Sequence, residues 1–143
     1  SGTSAPYFTA VGNTLYFTAT DGTNGSELWK SDGTSAGTVM VKDIRSGSSS
    51  GIGTPFFTAV GSTLYFTATD GTNGYELWKS DGTTAGTMLI DLNAGPPDSN
   101  PNNLVAIGND LYFEAYHTQF GDEIWMIQTD GTDIMTSNKI TYD

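Results

Sequence analysis

Residues 9–38 read TAVGNTLYFTATDGTNGSELWKSDGTSAGT, and residues 58–87 read TAVGSTLYFTATDGTNGYELWKSDGTTAGT. The two stretches are nearly identical and lie 49 residues apart, so the chain contains a tandem repeat. A third, more divergent copy follows after a further 47 residues, with Leu111 to Phe113 and Glu123 to Trp125 in the corresponding places. The repeat therefore decides the fold.

Each copy alternates short runs of aromatic and β-branched residues with clusters of Gly, Asp, Asn, Ser and Thr, a pattern typical of strands joined by turns. The pattern predicts four strands per copy and no helix. In the first copy they cover approximately residues 6–11, 14–20, 27–31 and 38–44, and in the second they begin near Phe56, Thr63, Glu76 and Thr87.

Short links between these strands favour antiparallel neighbours, so each copy is predicted to form a four-stranded meander. Bulky residues fill adjacent positions in Leu15-Tyr16-Phe17, which makes both faces of the sheet apolar, as in a sheet stacked between two others. Four strands in 47 to 49 residues are typical of a β-propeller blade. We therefore predict an all-β chain of three blade-type units, at residues 1–53, 54–102 and 103–143.

Three blades are fewer than the roughly four to eight of closed propellers. An open array would leave two apolar sheet faces in water. The chain is therefore expected to belong to a longer array or to complete a propeller by oligomerisation, and its expected partners are other copies of itself or adjacent repeats. The Gly-, Ser-, Pro- and Asn-rich segments 45–54 and 93–103 are predicted to connect the units.

The chain of 143 residues carries 16 acidic residues against 5 Lys and Arg, a formal net charge of −11, which argues against binding to nucleic acid or anionic lipid. No apolar run approaches the roughly 18 residues of a membrane helix, so no membrane insertion is expected. The absence of cysteine excludes disulfides and thiolate zinc sites. Acidity with abundant Thr, Ser and Gly favours an extracellular or cell-surface location.

Residues 27–34 read ELWKSDGT and residues 76–83 repeat this motif, each followed by a hydroxyl residue and Ala-Gly-Thr. The sequence here resembles the ELWxxDGT repeat family of large secreted or cell-surface bacterial proteins. The resemblance implies a propeller-like repeat outside the cell and no particular activity. Ser31 to Thr34 also resemble the Asp-box turn of sialidase-type propellers, although Trp29 precedes the turn here and a Trp follows it there.

Aromatic residues at equivalent positions are the main candidates for ligand binding. A flat indole or phenol ring beside polar groups can cover the C–H face of a sugar. Packing between blades is the alternative for the same residues. The aromatic candidates are Tyr16, Tyr65, Tyr112, Trp29, Trp78 and Trp125.

Glu27, Glu76 and Glu123 are expected either to contact a sugar or to have a structural role. A third hypothesis makes them the acid and base pair of a glycosidase. Catalysis needs two carboxyl groups with different pKa values, whereas equivalent positions of a repeat are expected to have equal environments. His117 is the only histidine and is interpreted as a surface residue. No catalytic residue is assigned.

The loops at residues 20–25 and 69–74 present the oxygen ligands that calcium prefers. Ordinary turn formation explains the same residues. Asp21, Asn24, Asp70 and Asn73 are the candidate calcium ligands, and no other cofactor is expected.

These observations predict a non-enzymatic extracellular module for recognition or adhesion that binds carbohydrate through repeated sites. A structural, self-assembling repeat of a surface filament or large adhesin is the first alternative. A glycosidase-like propeller enzyme is the second.

Overall fold

A computed structural model describes residues 7–93, 95–129 and 135–140. These residues form three four-stranded antiparallel sheets and contain no helix, so the all-β prediction is confirmed. The first sheet contains β1 (Phe8–Val11), β2 (Thr14–Ala19), β3 (Glu27–Ser31) and β4 (Val39–Lys42); the second contains β5 (Thr58–Val60), β6 (Thr63–Ala68), β7 (Glu76–Ser80) and β8 (Met88–Ile90); the third contains β9 (Asn102–Ile107), β10 (Asp110–His117), β11 (Gly121–Thr129) and β12 (Met135–Ile140).

Strand order follows chain order in every sheet, as in a meander. The register is the same in the three copies: Phe17 pairs with Trp29, Phe66 with Trp78, and Phe113 with Trp125. The divergent third copy therefore keeps the pairing of the first two.

The fourth strand of the first copy is shorter than predicted, since β4 covers Val39–Lys42 and not residues 38–44. Thr38 is excluded because its backbone amide donates to the carbonyl of Ser35 at 3.3 Å within the preceding turn. Ile44 is excluded because its amide donates to the Glu27 carboxylate. A turn carbonyl thus replaces the ladder partner at one end of this strand, and a side chain replaces it at the other.

Each sheet has two apolar faces, because successive side chains point to opposite sides of a strand. We call the face with Leu15, Phe17 and Trp29, and their counterparts in the other sheets, the tryptophan face. We call the face with Tyr16 and Leu28, and their counterparts, the tyrosine face. The core forms where the tyrosine face of one sheet meets the tryptophan face of the next.

Two such contacts exist in the described chain. Between the first and second sheets, the buried residues are Tyr16, Leu28, Val41, Leu64, Phe66, Ala68 and Trp78, joined by Ile44 and Ile52 from the connector. Between the second and third sheets, they are Val60, Tyr65, Leu77, Leu111, Phe113, Ala115, Trp125 and Ile127. The prediction that sheets stack through both apolar faces holds for the second sheet.

The sheets also meet through their first strands, β1 against β5 and β5 against β9. In the described part of the chain the three sheets do not close into a ring, so one tryptophan face and one tyrosine face remain without a neighbouring sheet.

The turn after the third strand is built by its own side chains. The carboxylate of Asp32 accepts the Thr34 amide at 2.9 Å and the Thr34 hydroxyl at 2.6 Å, and that hydroxyl accepts the Gly37 amide at 2.9 Å. Asp81 and Thr83 repeat these contacts in the second copy. The motif Ser-Asp-Gly-Thr is thus a self-bonded turn, in which Asp and Thr side chains bond to the amides of the turn.

Glycine is required at position 25, where the turn after β2 touches the connector. A methyl group on Gly25 would lie 2.4 Å from the backbone of Ser49. We expect Gly25→Ala to lower the free energy of unfolding by about 1–3 kcal/mol, measured by urea denaturation, because the connector must move. Gly53→Ala is the matched control, since a methyl group there meets no atom within 4 Å. An equal loss in both variants would contradict this reading.

Candidate functional site

The aromatic candidates lie mainly in the contacts between sheets. Tyr16, Tyr65, Trp78 and Trp125 are buried, whereas Trp29 and Tyr112 are partly exposed. The two half-exposed residues belong to the two outer faces of the stack. This arrangement favours the packing alternative for the buried four, and ligand binding by this set stays a prediction.

Glu27 is fully buried and holds the connector against its own sheet. One carboxylate oxygen accepts the Ile44 amide at 2.9 Å, and the other accepts the Gly51 amide at 2.9 Å. The connector thereby returns to the start of β3, which brings Ile52 into the core between the first two sheets. The sequence pattern did not predict this contact, because the amides come from a loop 17 and 24 residues away.

Glu76 has the same role in the second copy. Its carboxylate accepts the Leu92 amide at 3.3 Å and the Ser99 amide at 3.2 Å, and the Ser99 hydroxyl also donates to it. Burial raises the pKa of Glu76 to about 7 and also raises the pKa of Glu27, although the N–H donors oppose this effect. A structural role explains both residues.

Glu123 occupies the equivalent register position but is only half-buried. It pairs with Ala115 as Glu76 pairs with Ala68. It lines a surface cavity together with Glu114 and Asp122. The structure therefore separates the third glutamate from the other two by environment, and a sugar contact at Glu123 stays a prediction.

The candidate calcium loop of the first copy is closed by internal hydrogen bonds. One oxygen of Asp21 accepts the amides of Thr23 at 2.9 Å and Asn24 at 2.8 Å, and the other accepts the Asn24 side chain at 2.9 Å. The hydrogen bonds from Asn24 and Thr23 hold the pKa of Asp21 below its usual value. A cation would have to displace these donors.

The second loop has the same geometry, with the Asn73 amide 2.7 Å from Asp70. Among the described residues, no group of three or more His, Cys, Asp or Glu side chains could hold a metal ion. Turn formation explains Asp21, Asn24, Asp70 and Asn73, and calcium binding stays a prediction.

His117 lies at the end of β10, where its ring stacks on Phe120 at 4.8 Å between centroids. Its Nδ1 accepts the Gln119 amide at 3.0 Å. The ring is also 6.1 Å from that of Trp125. Through these contacts His117 stabilises the turn between β10 and β11.

Polar groups reinforce the contact between the first two sheets. Lys30 donates to the carbonyl of Gly82 at 2.7 Å, and Lys42 donates to the carbonyl of Thr87 at 2.9 Å. In return, the Thr84 hydroxyl donates to the carbonyl of Val41 at 2.8 Å. The self-bonded turn of one sheet is therefore the docking point for the tyrosine face of the preceding sheet.

Sequence reasoning missed a surface groove beside the connector that leads into β9. Phe56, Tyr75, Asn100, Asn102 and Asn103 line it. An Asn-Asn pair and a phenylalanine after proline were weak signals, because Asn adopts left-handed backbone angles more readily than most residues.

Comparison with protein families, with curated proteins and with solved structures found no match in any of the three cases. In the described part of the chain, no helix is long and apolar enough to span a membrane.

The raised pKa of Glu76 predicts a pH-dependent stability. Below about pH 4.5 the carboxyl is protonated in both the folded and the unfolded states; between that value and pH 7 only the unfolded state releases the proton. The free energy of unfolding should therefore fall as pH rises through this interval, because the folded state retains a proton that the unfolded state has released. We expect the melting temperature to decline there, and the decline to be smaller in Glu76→Gln.

Comparing the two slopes removes the contribution of the chain's overall negative charge, which also weakens the folded state at higher pH. Equal slopes for the wild-type chain and Glu76→Gln would show that this carboxyl ionises at its ordinary pKa.

Proposed function

We propose that the chain is a non-enzymatic, extracellular structural repeat whose role is to stack, sheet upon sheet, onto further units of the same kind. The partner unit is supplied by a second copy of the chain. One observation carries this proposal: an outer face of the stack has the same central apolar residues as a face that is covered inside the same molecule.

The tryptophan face of the first sheet has no neighbouring sheet in the described chain. Its central residues, Leu15 and Phe17, have the same identities as Leu64 and Phe66 in the second sheet. Leu15 is 38% exposed, whereas Leu64 is fully buried under the tyrosine face of the first sheet. The same surface is thus covered in one copy and open in the other.

Other parts of this face are copied as well. Phe8 and Trp29 extend the row, with ring centroids 6.3 Å and 6.5 Å from Phe17. Their counterparts, Phe57 and Trp78, pack in the first core. An exposed aromatic row of this kind is typical of a protein interaction site.

The polar docking point is also repeated. Residues 31–38 and 80–87 differ only at Ser35 and Thr84, and both residues carry a hydroxyl. In the second copy this turn accepts Lys30 and Lys42 and donates to the preceding sheet. The turn at residues 31–38 offers equivalent carbonyl and hydroxyl groups to an incoming unit.

The third sheet presents the complementary tyrosine face at the other end of the stack. Tyr112 and Ile124 stand where Tyr65 and Leu77 stand in the second sheet, and both are half-buried. A tyrosine face of one chain on the tryptophan face of another is a head-to-tail contact, which produces a ring if the rotation closes.

Two chains would supply about six sheets, a common size for a closed propeller. Because the sheets meet through their first strands, this arrangement supports a propeller-type ring, and three units alone leave it incomplete. Closure would bury both outer faces, which are costly to expose in water. The acidic, Thr-, Ser- and Gly-rich composition suits the extracellular location that the resemblance to the repeat family implies.

Two equivalent phenylalanines test the proposal. Phe66→Ala should lower the free energy of unfolding by about 3–5 kcal/mol, because Phe66 is fully buried. Phe17→Ala should cost the isolated chain much less, because Phe17 is half-exposed. It should instead weaken self-association, measured by sedimentation velocity across a concentration series. A wild-type chain that stays monomeric throughout the series would overturn the proposal.

A second test exploits a difference in the third copy. Met126 pairs with Tyr112, whereas lysine pairs with tyrosine in the other two sheets, at Lys30 and Lys79. Within the chain, the ammonium group of the equivalent Lys30 donates to the carbonyl of Gly82 on the next sheet. Met126→Lys places an ammonium group at the same position of the third sheet, so it should strengthen self-association. Unchanged association in this variant would argue against docking through the third sheet.

A further inference from the structure

We propose that the groove lined by Phe56, Tyr75 and the amides of Asn100, Asn102 and Asn103 binds a neutral sugar. The inference goes beyond stacking, because it uses the connector side of β5 and β9 and neither outer face. Its basis is a coincidence of backbone distortion, aromatic exposure and amide chemistry in one place.

Three non-glycine residues have a positive φ in the described chain, and all three line this groove: Phe56 at 50°, Asn100 at 45° and Asn103 at 52°. Left-handed angles are uncommon for asparagine and exceptional for a bulky residue such as phenylalanine. Such residues cluster where a ligand or switch requires them.

A slip in the strand ladder accompanies Phe56. The amide of Thr67 donates to the carbonyl of Pro55 at 2.7 Å, one residue beyond the carbonyl that an unbroken ladder would supply. The extra residue is Phe56, and its side chain is 41% exposed. Bulges of this kind redirect side chains and are frequent beside binding sites.

Similar shifts occur at two places along the segment that contains β9, one within the strand and one before it. The register with β10 shifts between Tyr112 and Glu114, next to Asn103. It shifts again where the Tyr116 amide donates to the carbonyl of Ser99 at 2.7 Å, next to Asn100. The first copy lacks this feature, because Thr18 donates to Tyr7 without a change of register.

Neighbouring groups hold the asparagines in place. The side-chain amide of Asn102 donates to the backbone carbonyl of Asn100 at 3.1 Å. The side-chain amide of Asn103 donates to the Glu114 carboxylate at 3.1 Å. A carboxamide can form four hydrogen bonds, so each side chain keeps capacity for a ligand. The Thr67 hydroxyl, on β6, holds residues 100–103 in place by donating to the carbonyl of Pro101 at 2.8 Å.

These groups define the ligand's chemistry. The groove has a volume of about 630 Å³, which is sufficient for a short oligosaccharide. Among the described residues that line it there is no Lys, Arg, Asp or Glu, so these residues offer no ionic partner to a charged ligand. Aromatic rings beside amides match the apolar and hydroxyl faces of a sugar ring.

The test is a titration of the isotopically labelled wild-type chain with maltotriose, cellotriose and triacetylchitotriose at millimolar concentration. We expect at least one sugar to shift the side-chain amide signals of Asn100, Asn102 and Asn103. No shift with any of the three sugars would overturn the proposal.

Two variants separate binding from folding. Phe56→Gly should abolish the shifts and leave the melting temperature unchanged or higher, because glycine adopts a positive φ without strain. Tyr75→Ser should weaken binding roughly tenfold, through loss of one aromatic contact. It should keep the fold, since Ser26 occupies the equivalent place in the first copy.

Phe120→Ala, which removes an exposed aromatic ring outside the groove, is the control and should bind as the wild type does. Shifts that persist in Phe56→Gly would overturn the proposal, and so would a fall in its melting temperature, which would mark Phe56 as a packing residue. The result is independent of self-association, because Phe17→Ala should bind sugar normally.

Discussion

The contact between the tyrosine face of one sheet and the tryptophan face of the next is the interaction on which the structure depends. A four-stranded sheet with two apolar faces cannot bury both by itself, so each copy of the repeat needs neighbours. In the described chain two such contacts exist, one between the first and second sheets and one between the second and third. Under the proposed assembly, stability and self-association depend on the same surface, and Phe17 would be covered as Phe66 is covered within the chain.

Buried glutamates hold each connector in place. Glu27 and Glu76 bind the amides of the connector that leads to the next sheet, so they fix the path by which one unit follows another. Removing a carboxylate from water is unfavourable and is offset here by amide donors. The same burial raises the pKa of Glu76 to about 7 and links the connector to pH.

The repeat, the strand positions and the turns could be predicted from the sequence because they depend on local patterns. The aromatic and hydroxyl-rich runs marked β2 and β3 to within a residue. A structural role was one of two expectations for Glu27, but its partners could not be predicted, because they lie 17 and 24 residues away. The distortion at Phe56 was equally inaccessible, since it depends on which carbonyl faces Thr67 across the ladder.

The pattern of variation among the copies separates two kinds of position. The residue at the centre of the tryptophan face is the same in every unit, since Phe17, Phe66 and Phe113 are identical. The proposed sugar groove is lined by residues that differ between units, since the equivalent positions 7, 56 and 103 hold Tyr, Phe and Asn. Divergence at the start of the first strands is therefore compatible with repetition at the centre of the tryptophan face. A repeat protein can in this way keep one assembly geometry while it varies what the assembled surface binds.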